Sequence, residues 1–126
     1  MKKNSDSFYD SKKWESVRKS ALIRDHYQDA VQKRYGIFRT AEMVHHVIPR
    51  ETHPEYQYEL WNLISLTKSM HNRMHDRITD ELTDEGLKLM ERICRKYNKE
   101  IPPEYSVRIE YMKKHKPKIG KWMGYY

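Results

Sequence analysis

Two histidines stand side by side inside a short apolar run, Val44-His45-His46-Val47-Ile48-Pro49. A run of this length, rich in β-branched residues and closed by a proline, reads as a strand. Successive side chains of a strand point to opposite faces. One imidazole therefore looks out from each side, and whatever the chain folds into must find a use for both.

The rest of the composition narrows that use. Hydrophobic residues make up 37% of the 126 positions and charged residues 34%, so one modest core under a heavily charged surface is expected, in a single domain. The 25 Lys+Arg against 18 Asp+Glu leave a formal charge of +7. That balance favours a polyanionic partner such as nucleic acid, the plain alternative being a merely basic protein. Cys94 is the only cysteine, which excludes an intramolecular disulfide or a cysteine-based zinc cluster and fits a reducing cytosol. No long apolar run is present, and no apolar segment follows Met1-Lys2-Lys3. Neither a membrane span nor a signal peptide is expected, and a cytoplasmic location follows.

Along the chain, residues 1–7 are polar and expected to fray. Trp14, Val17, Ala21 and Leu22 recur at helical spacing from about Ser11. Residues 29–39 read as a polar connection around Gly36, and Tyr56 to Leu60 as a short second strand. Thr67 or Ser65 can cap a helix through "KSMHNRMHDRI", and Thr83 a further one carrying Leu87, Met90, Ile93 and Cys94. That helix should stop before Ile101-Pro102-Pro103. Tyr105, Val107, Ile109 and Tyr111 alternate, which suggests a strand, with a helix as the other reading. The domain is expected to run over 1–112 and to be followed by a basic tail over 113–126, with five lysines and no acid. A solvated tail is one reading; Trp122, Tyr125 and Tyr126 stacking on bases or anchoring on the core is the other.

Four of the seven histidines fall into two groups, His45-His46 and then His71 with His75. Residues four apart on a helix lie one above the other, so His71 and His75 can grip one metal ion. A strand, loop, strand and helix that fold back would add His45 to them. Three imidazoles make a ligand set with positions left for phosphate oxygen and water.

These residues carry a family resemblance. The stretch "AEMVHHVIPRETHPEYQYELWNLISLTKSMHNRMH", residues 41–75, resembles the HNH endonuclease motif, and "YDSKKWESVRKSALIRDHY" is similar to the lead-in helix of phage and bacterial members. The resemblance implies an α+β chain built on a ββα-metal (His-Me finger) core, at about 41–78, with flanking helices. It implies a metal-dependent DNA endonuclease that leaves 5′-phosphate and 3′-hydroxyl ends. By position, His46 would be the general base, His45 and His71 metal ligands, and Asn62 the residue that ties the loop and orients the base. His75 matches the additional ligand of colicin-type nucleases, with Asn72 able to supply a polar contact in its place. One divalent ion is implied: zinc, nickel, manganese or magnesium. DNA is the implied partner. Phage members often work beside the terminase in genome packaging, which would put the chain in a bacterial or phage-infected cytoplasm.

The chain departs from many phage-type members at one point. Their structural zinc is held by two Cys-x-x-Cys pairs, and the matching positions here are Asp29, Gln32, Thr67 and Met70. No structural zinc is therefore expected, and packing by Trp14, Tyr27, Tyr35, Trp61 and Met70 should replace it. Arg50, Lys68, Arg73 and Arg77 are candidate phosphate contacts, Arg73 and Arg77 as neighbours on one helical face; each could equally be solvated surface. His26, His53 and His115 are expected to have no catalytic role. A non-catalytic nucleic-acid-binding module with a structural His-bound metal is the alternative, and a toxin-like nuclease domain a third reading.

Overall fold

A computed structural model describes residues 7–115. The first helix, α1 (Lys12–Arg24), starts where Ser11 Oγ accepts the Trp14 N–H at 3.1 Å, with Glu15 in its first turn and Arg24 in its last. Those charges oppose the helix dipole at both ends. A short α2 (Ala30–Lys33) follows, then β1 (Met43–His46), β2 (Leu63–Leu66), α3 (Lys68–Asn72), α4 (Asp84–Tyr97) and α5 (Pro103–His115).

The two strands pair antiparallel with His45 opposite Ile64 and His46 opposite Leu63. Opposed residues share a face, so the hairpin has two distinct sides. Helix α1 covers the His46 side, where Trp14, Ala21 and Leu63 are buried together with Val17, Val44, Phe8 and Tyr58 against them. The His45 side carries the larger core, in which Ile64 and Leu66 meet Met70, Met74 and the apolar faces of α4 and α5. Arg24 ties α1 to the hairpin by donating to the Leu60 and Leu63 carbonyls at 2.7 and 2.6 Å and to both oxygens of Asp25. Asp25 in turn accepts the Ser65 N–H at 3.1 Å.

Several expectations from sequence are corrected. The second strand is Leu63–Leu66, not Tyr56 to Leu60. Residues 54–62 form 3₁₀ turns closed by bonds such as Gln57 N–H to the Pro54 carbonyl and Glu59 N–H to the Tyr56 carbonyl. All four residues of β2 are buried, so it has no polar alternation to betray it. The polar connection at 29–39 contains α2, capped by Asp29. Tyr105 to Tyr111 is helical. Tyr105, Ile109 and Met112 are buried while Val107 and Tyr111 are exposed, which is burial at the three- and four-residue steps of a helix. Helix α5 runs on through Lys113, Lys114 and His115, so the basic tail begins as its last turn. Trp122, Tyr125 and Tyr126 lie outside the described residues.

The four positions that hold zinc cysteines in the phage-type pattern are joined here by hydrogen bonds. Asp29, wholly buried, accepts from Gln32 N–H (2.8 Å), Thr67 N–H (2.8 Å) and the Thr67 hydroxyl (3.0 Å). Thr67 Oγ1 then takes the Met70 N–H at 3.1 Å and caps α3. The expected replacement by aromatic packing is only partial, because Tyr27 and Tyr35 are exposed while Trp14 and Met70 are buried. A buried carboxylate gathering donors from α2 and α3 does the joining that packing was expected to do. Removing it strands several buried donors, each costing about 1–3 kcal/mol. Asp29→Ala should therefore lower stability by about 3 kcal/mol in urea unfolding, with Asp29→Asn losing less. A loss below about 1 kcal/mol would show that the cluster does not hold the two helices.

Candidate metal centre and cleft

Each histidine of the pair meets a different environment. His45 is 2% exposed and looks to α3 and the loop after it, its ring centroid 5.3 Å from those of both His71 and His75. Those two are 5.6 Å apart. One ligand atom from each of the three lies within 4.8 Å of the other two. His45 Nε2 is buried with no hydrogen-bond partner. A buried imidazole nitrogen left without a partner costs free energy, and a shared cation would satisfy it. His75 Nδ1 faces the Asp80 carbonyl at 3.2 Å; a carbonyl only accepts, so Nδ1 carries the proton and Nε2 keeps its lone pair for a metal. The three histidines fit a divalent ion.

The route by which His75 arrives differs from the expected one. Helix α3 ends at Asn72, so His71 and His75 are not stacked on one helix. Arg73 caps it, the Met74 carbonyl accepts the Thr83 N–H at 2.9 Å, and His75 forms an isolated bridge with Leu82. An Asx turn in which Asp76 Oδ1 accepts from Ile78 and Thr79 reverses the chain and delivers the Asp80 carbonyl. Asp80 itself sits at φ 65. Nothing in the His-x-x-x-His spacing announces this turn, although "DRITD" with an acid at each end is its trace.

His46, 8% exposed, lies on the opposite face. Its ring stacks on Trp14 at 5.0 Å and meets Phe8 at 5.9 Å. Nε2 faces the Gln57 carbonyl at 3.1 Å, which places the proton there and leaves Nδ1 as the basic nitrogen. Burial holds the His46 pKa below its ordinary value, with the Arg50 charge adding to it and the Gln57 bond opposing. Gln57, Phe8 and Tyr9 escaped the sequence reading, since a backbone carbonyl and an aromatic pair ahead of a helix carry no motif.

His45, His46, His71 and His75 nevertheless line one cleft of about 260 Å³, with Tyr9, Arg50 and Glu51 on its walls. The Arg50 guanidinium lies 4.0 Å from the Phe8 ring centre and 5.3 Å from that of Tyr9, and its buried Nε has no hydrogen-bond partner. Asn62 is wholly buried behind the cleft. Its side chain accepts the Ile48 N–H at 2.7 Å and donates to the Ile48 and Tyr56 carbonyls at 3.1 and 3.3 Å. It ties the loop at Ile48 and Tyr56, without touching His46 itself among these bonds. The other candidate cations scatter. Lys68 and Arg77 are exposed. Arg73 is held by both oxygens of Glu85 at 3.0 and 2.7 Å, and Arg77 is not on α3, so the two share no helical face.

Gly86 fixes how closely α4 approaches the ligand loop. A Cβ there would stand 2.6 Å from the Met74 carbonyl oxygen and 2.9 Å from Leu82 Cδ2. Alanine gains about 1 kcal/mol of helix propensity, but overpacking against backbone costs about 1–3 kcal/mol. Gly86→Ala should lower the melting temperature and, by displacing Met74-His75, weaken metal binding in calorimetric titration; unchanged affinity would free His75 from this contact.

Burial also depresses His45 and His71, with His71 and His75 opposing a charge on His45 and His75 opposing one on His71. A histidine lowered in the fold favours the neutral ring, so its contribution is full above the unfolded value of about 6.5 and is lost as pH falls below it. The metal-free protein should melt progressively lower between about pH 6.5 and 5. A flat melting profile in chelator over that range would contradict the burial of these rings.

No family model matches the chain, and no curated protein matches it. Its fold is similar to the crystal structure of the deep-sea thermophilic bacteriophage GVE2 HNH endonuclease with manganese ion: 29% identity, 55% of this chain and 75% of that chain covered, TM-score 0.53. Likeness of fold at this identity joins the His-His strand, the buried asparagine and the histidine triad already described. The fold is that of an HNH endonuclease, an α+β scaffold in which helices pack on a two-stranded antiparallel sheet.

Proposed function

We propose that the chain is a metal-dependent DNA endonuclease in which His46 is the general base. The observation that carries this reading is the division of the adjacent histidines, one joining His71 and His75 and the other held by Gln57, around a single cleft. An imidazole cannot offer one lone pair to a metal and to a proton at once, so separate rings for the two tasks suit hydrolysis. A structural metal site has no need of the second.

His45, His71 and His75 would hold the ion, which when bound supplies stabilisation of negative charge on the phosphate. The manganese of the similar phage endonuclease makes that ion the first to try, ahead of magnesium, zinc and nickel. His46, neutral near pH 7 because it is buried beside Arg50, takes a proton on Nδ1 from the attacking water. The water oxygen bonds to phosphorus, the bond to the 3′ oxygen breaks, and that oxygen takes a proton from solvent. The ends are then 5′-phosphate and 3′-hydroxyl. Arg50, its guanidinium 4.0 Å from the Phe8 ring centre and its Nε unpartnered, offers a donor set to a phosphate oxygen. Asn62 positions this machinery by fixing Ile48, two residues beyond the base. Lys68 and Arg77 extend the phosphate contacts outward, whereas Arg73 serves by bracing α3 against α4 through Glu85. Phage genome packaging, with a terminase as partner in an infected bacterial cytoplasm, is the setting we propose; the phage origin of the similar endonuclease prompts it. No helix among the described residues is long and apolar enough to cross a membrane.

Nicking of supercoiled plasmid tests the reading, with each ion in turn and with chelator. His46→Ala should cut at least about 100-fold more slowly while titrating with metal as wild type does. His71→Ala should lose both cutting and affinity. Cutting retained by His46→Ala would remove it as the base, and DNA binding without cutting in every ion would leave the non-catalytic module.

A further inference from the structure

A second concavity, of about 380 Å³, is lined from β2 by Leu63 and Ile64 and shares no residue with the histidine cleft, whose strand residues all come from β1. It continues into a hollow of about 270 Å³, the two having Arg24, Asp25, Ala30 and Arg34 in common. Cations dominate the walls: Arg24, Arg34, Arg92 and Lys96 in the first, with Lys33 added in the second.

The one acid, Asp25, is already satisfied. Arg24 grips both its oxygens at 2.9 Å, and the Ser65 N–H donates to Oδ2 at 3.1 Å. Arg24 is equally committed, to Asp25 and to two carbonyls. The charge left to the pocket is therefore that of Lys33, Arg34 and Lys96. Among the described residues, none of Lys33, Arg34 and Lys96 forms an ion pair with a carboxylate. Clustered cations with no counter-charge repel one another and gain from a polyanion whose charges are spaced along a chain.

Aromatic rings stand among these cations. Trp61 and Tyr97 line the pocket, with Lys96 Nζ 5.3 Å from the Tyr97 ring centre and Lys99 Nζ 5.4 Å from that of Trp61. Tyr97 is more than a third exposed. Cationic walls around π faces are the arrangement that takes a backbone and its bases together; an acidic peptide would use the charges and leave the rings idle. We propose that this pocket is a second nucleic-acid-binding site, holding a phosphodiester backbone on Arg34 and Lys96 with bases against Trp61 and Tyr97. The proposal builds on nucleic acid as the substrate of the histidine cleft, and it gives the protein a grip on a segment other than the one being cut.

Binding is read in chelator, so that cutting plays no part. Full-length wild type and the double variant Arg34→Gln/Lys96→Gln are titrated against a labelled single strand and against the matching duplex over a range of salt. Both side chains are exposed, so melting should not change, and neither should hydrolysis of a small chromogenic phosphodiester that cannot span the two sites. The double variant should bind about tenfold more weakly, with the salt slope reduced by about 1.4 for a single strand if both cations contact phosphate. Loss on the duplex alone or on the single strand alone identifies which form the pocket holds. Tyr97→Ala should weaken binding with no change in slope, the mark of stacking. Unchanged affinity and slope for both probes would overturn the site, as would displacement of neither probe but tight wild-type binding of polyglutamate that the double variant loses. A wild type that cuts nothing in any ion would sink the nuclease reading and leave this result standing.

Discussion

Everything at the centre of this molecule follows from the register of one short hairpin. Pairing His45 with Ile64 and His46 with Leu63 assigns each histidine a side, and a shift of one residue would exchange them. The register is held from outside the ladder as well as within it. Asn62 closes the loop onto Ile48, and the Val47 N–H reaches the Asn62 carbonyl at 2.8 Å, extending the pairing beyond His46. A two-stranded sheet has little stability of its own. Here α1 covers one face and α3, α4 and α5 the other, so the hairpin is a core element despite its length.

The two faces then acquire different chemistry from their coverings. On one side the neighbours of the histidine are other histidines, and their mutual repulsion together with burial disfavours protons. That is the condition under which a metal competes best for imidazole. On the other side the neighbours are rings and a carbonyl, which desolvate His46 and fix its tautomer while leaving it a lone pair. Adjacent residues of one strand thus meet two different chemical environments. Arg50 joins the two sides, since it faces the cleft and lowers the affinity of His46 for a proton.

Charged side chains join the helices to one another and to the hairpin. Asp29 draws α2 and α3 together through Gln32 and Thr67, and Arg24 with Asp25 draws α1 onto β2. Both are charged groups with their hydrogen-bonding capacity largely filled inside the fold, the circumstance in which burial of charge is tolerated. A small core under 34% charged residues gains rigidity in this way without more apolar surface.

How much of this was legible in the chain differs by kind of signal. Helices α1 and α4 were readable because their apolar spacing, and for α4 the cap Thr83, are local properties. That His45 and His46 face apart was readable because adjacent positions of a strand must diverge, whatever surrounds them, while the roles proposed for them came from the family resemblance. Strand β2 was not, since a run buried on both faces lacks the alternation that distinguishes strand from helix, and the tempting alternation at 105–111 belongs to a helix whose burial is set by α4. The route of His75 was likewise hidden. Its place depends on Leu82, Thr83 and Gly86 meeting Met74 and His75 across a turn. The sequence by itself determined which residues could be ligands and that two of them would face apart. Only the tertiary structure decided which carbonyl holds which ring, which cations stay uncommitted, and that Asp29 joins two helices, because each depends on groups distant in the chain meeting at hydrogen-bond range.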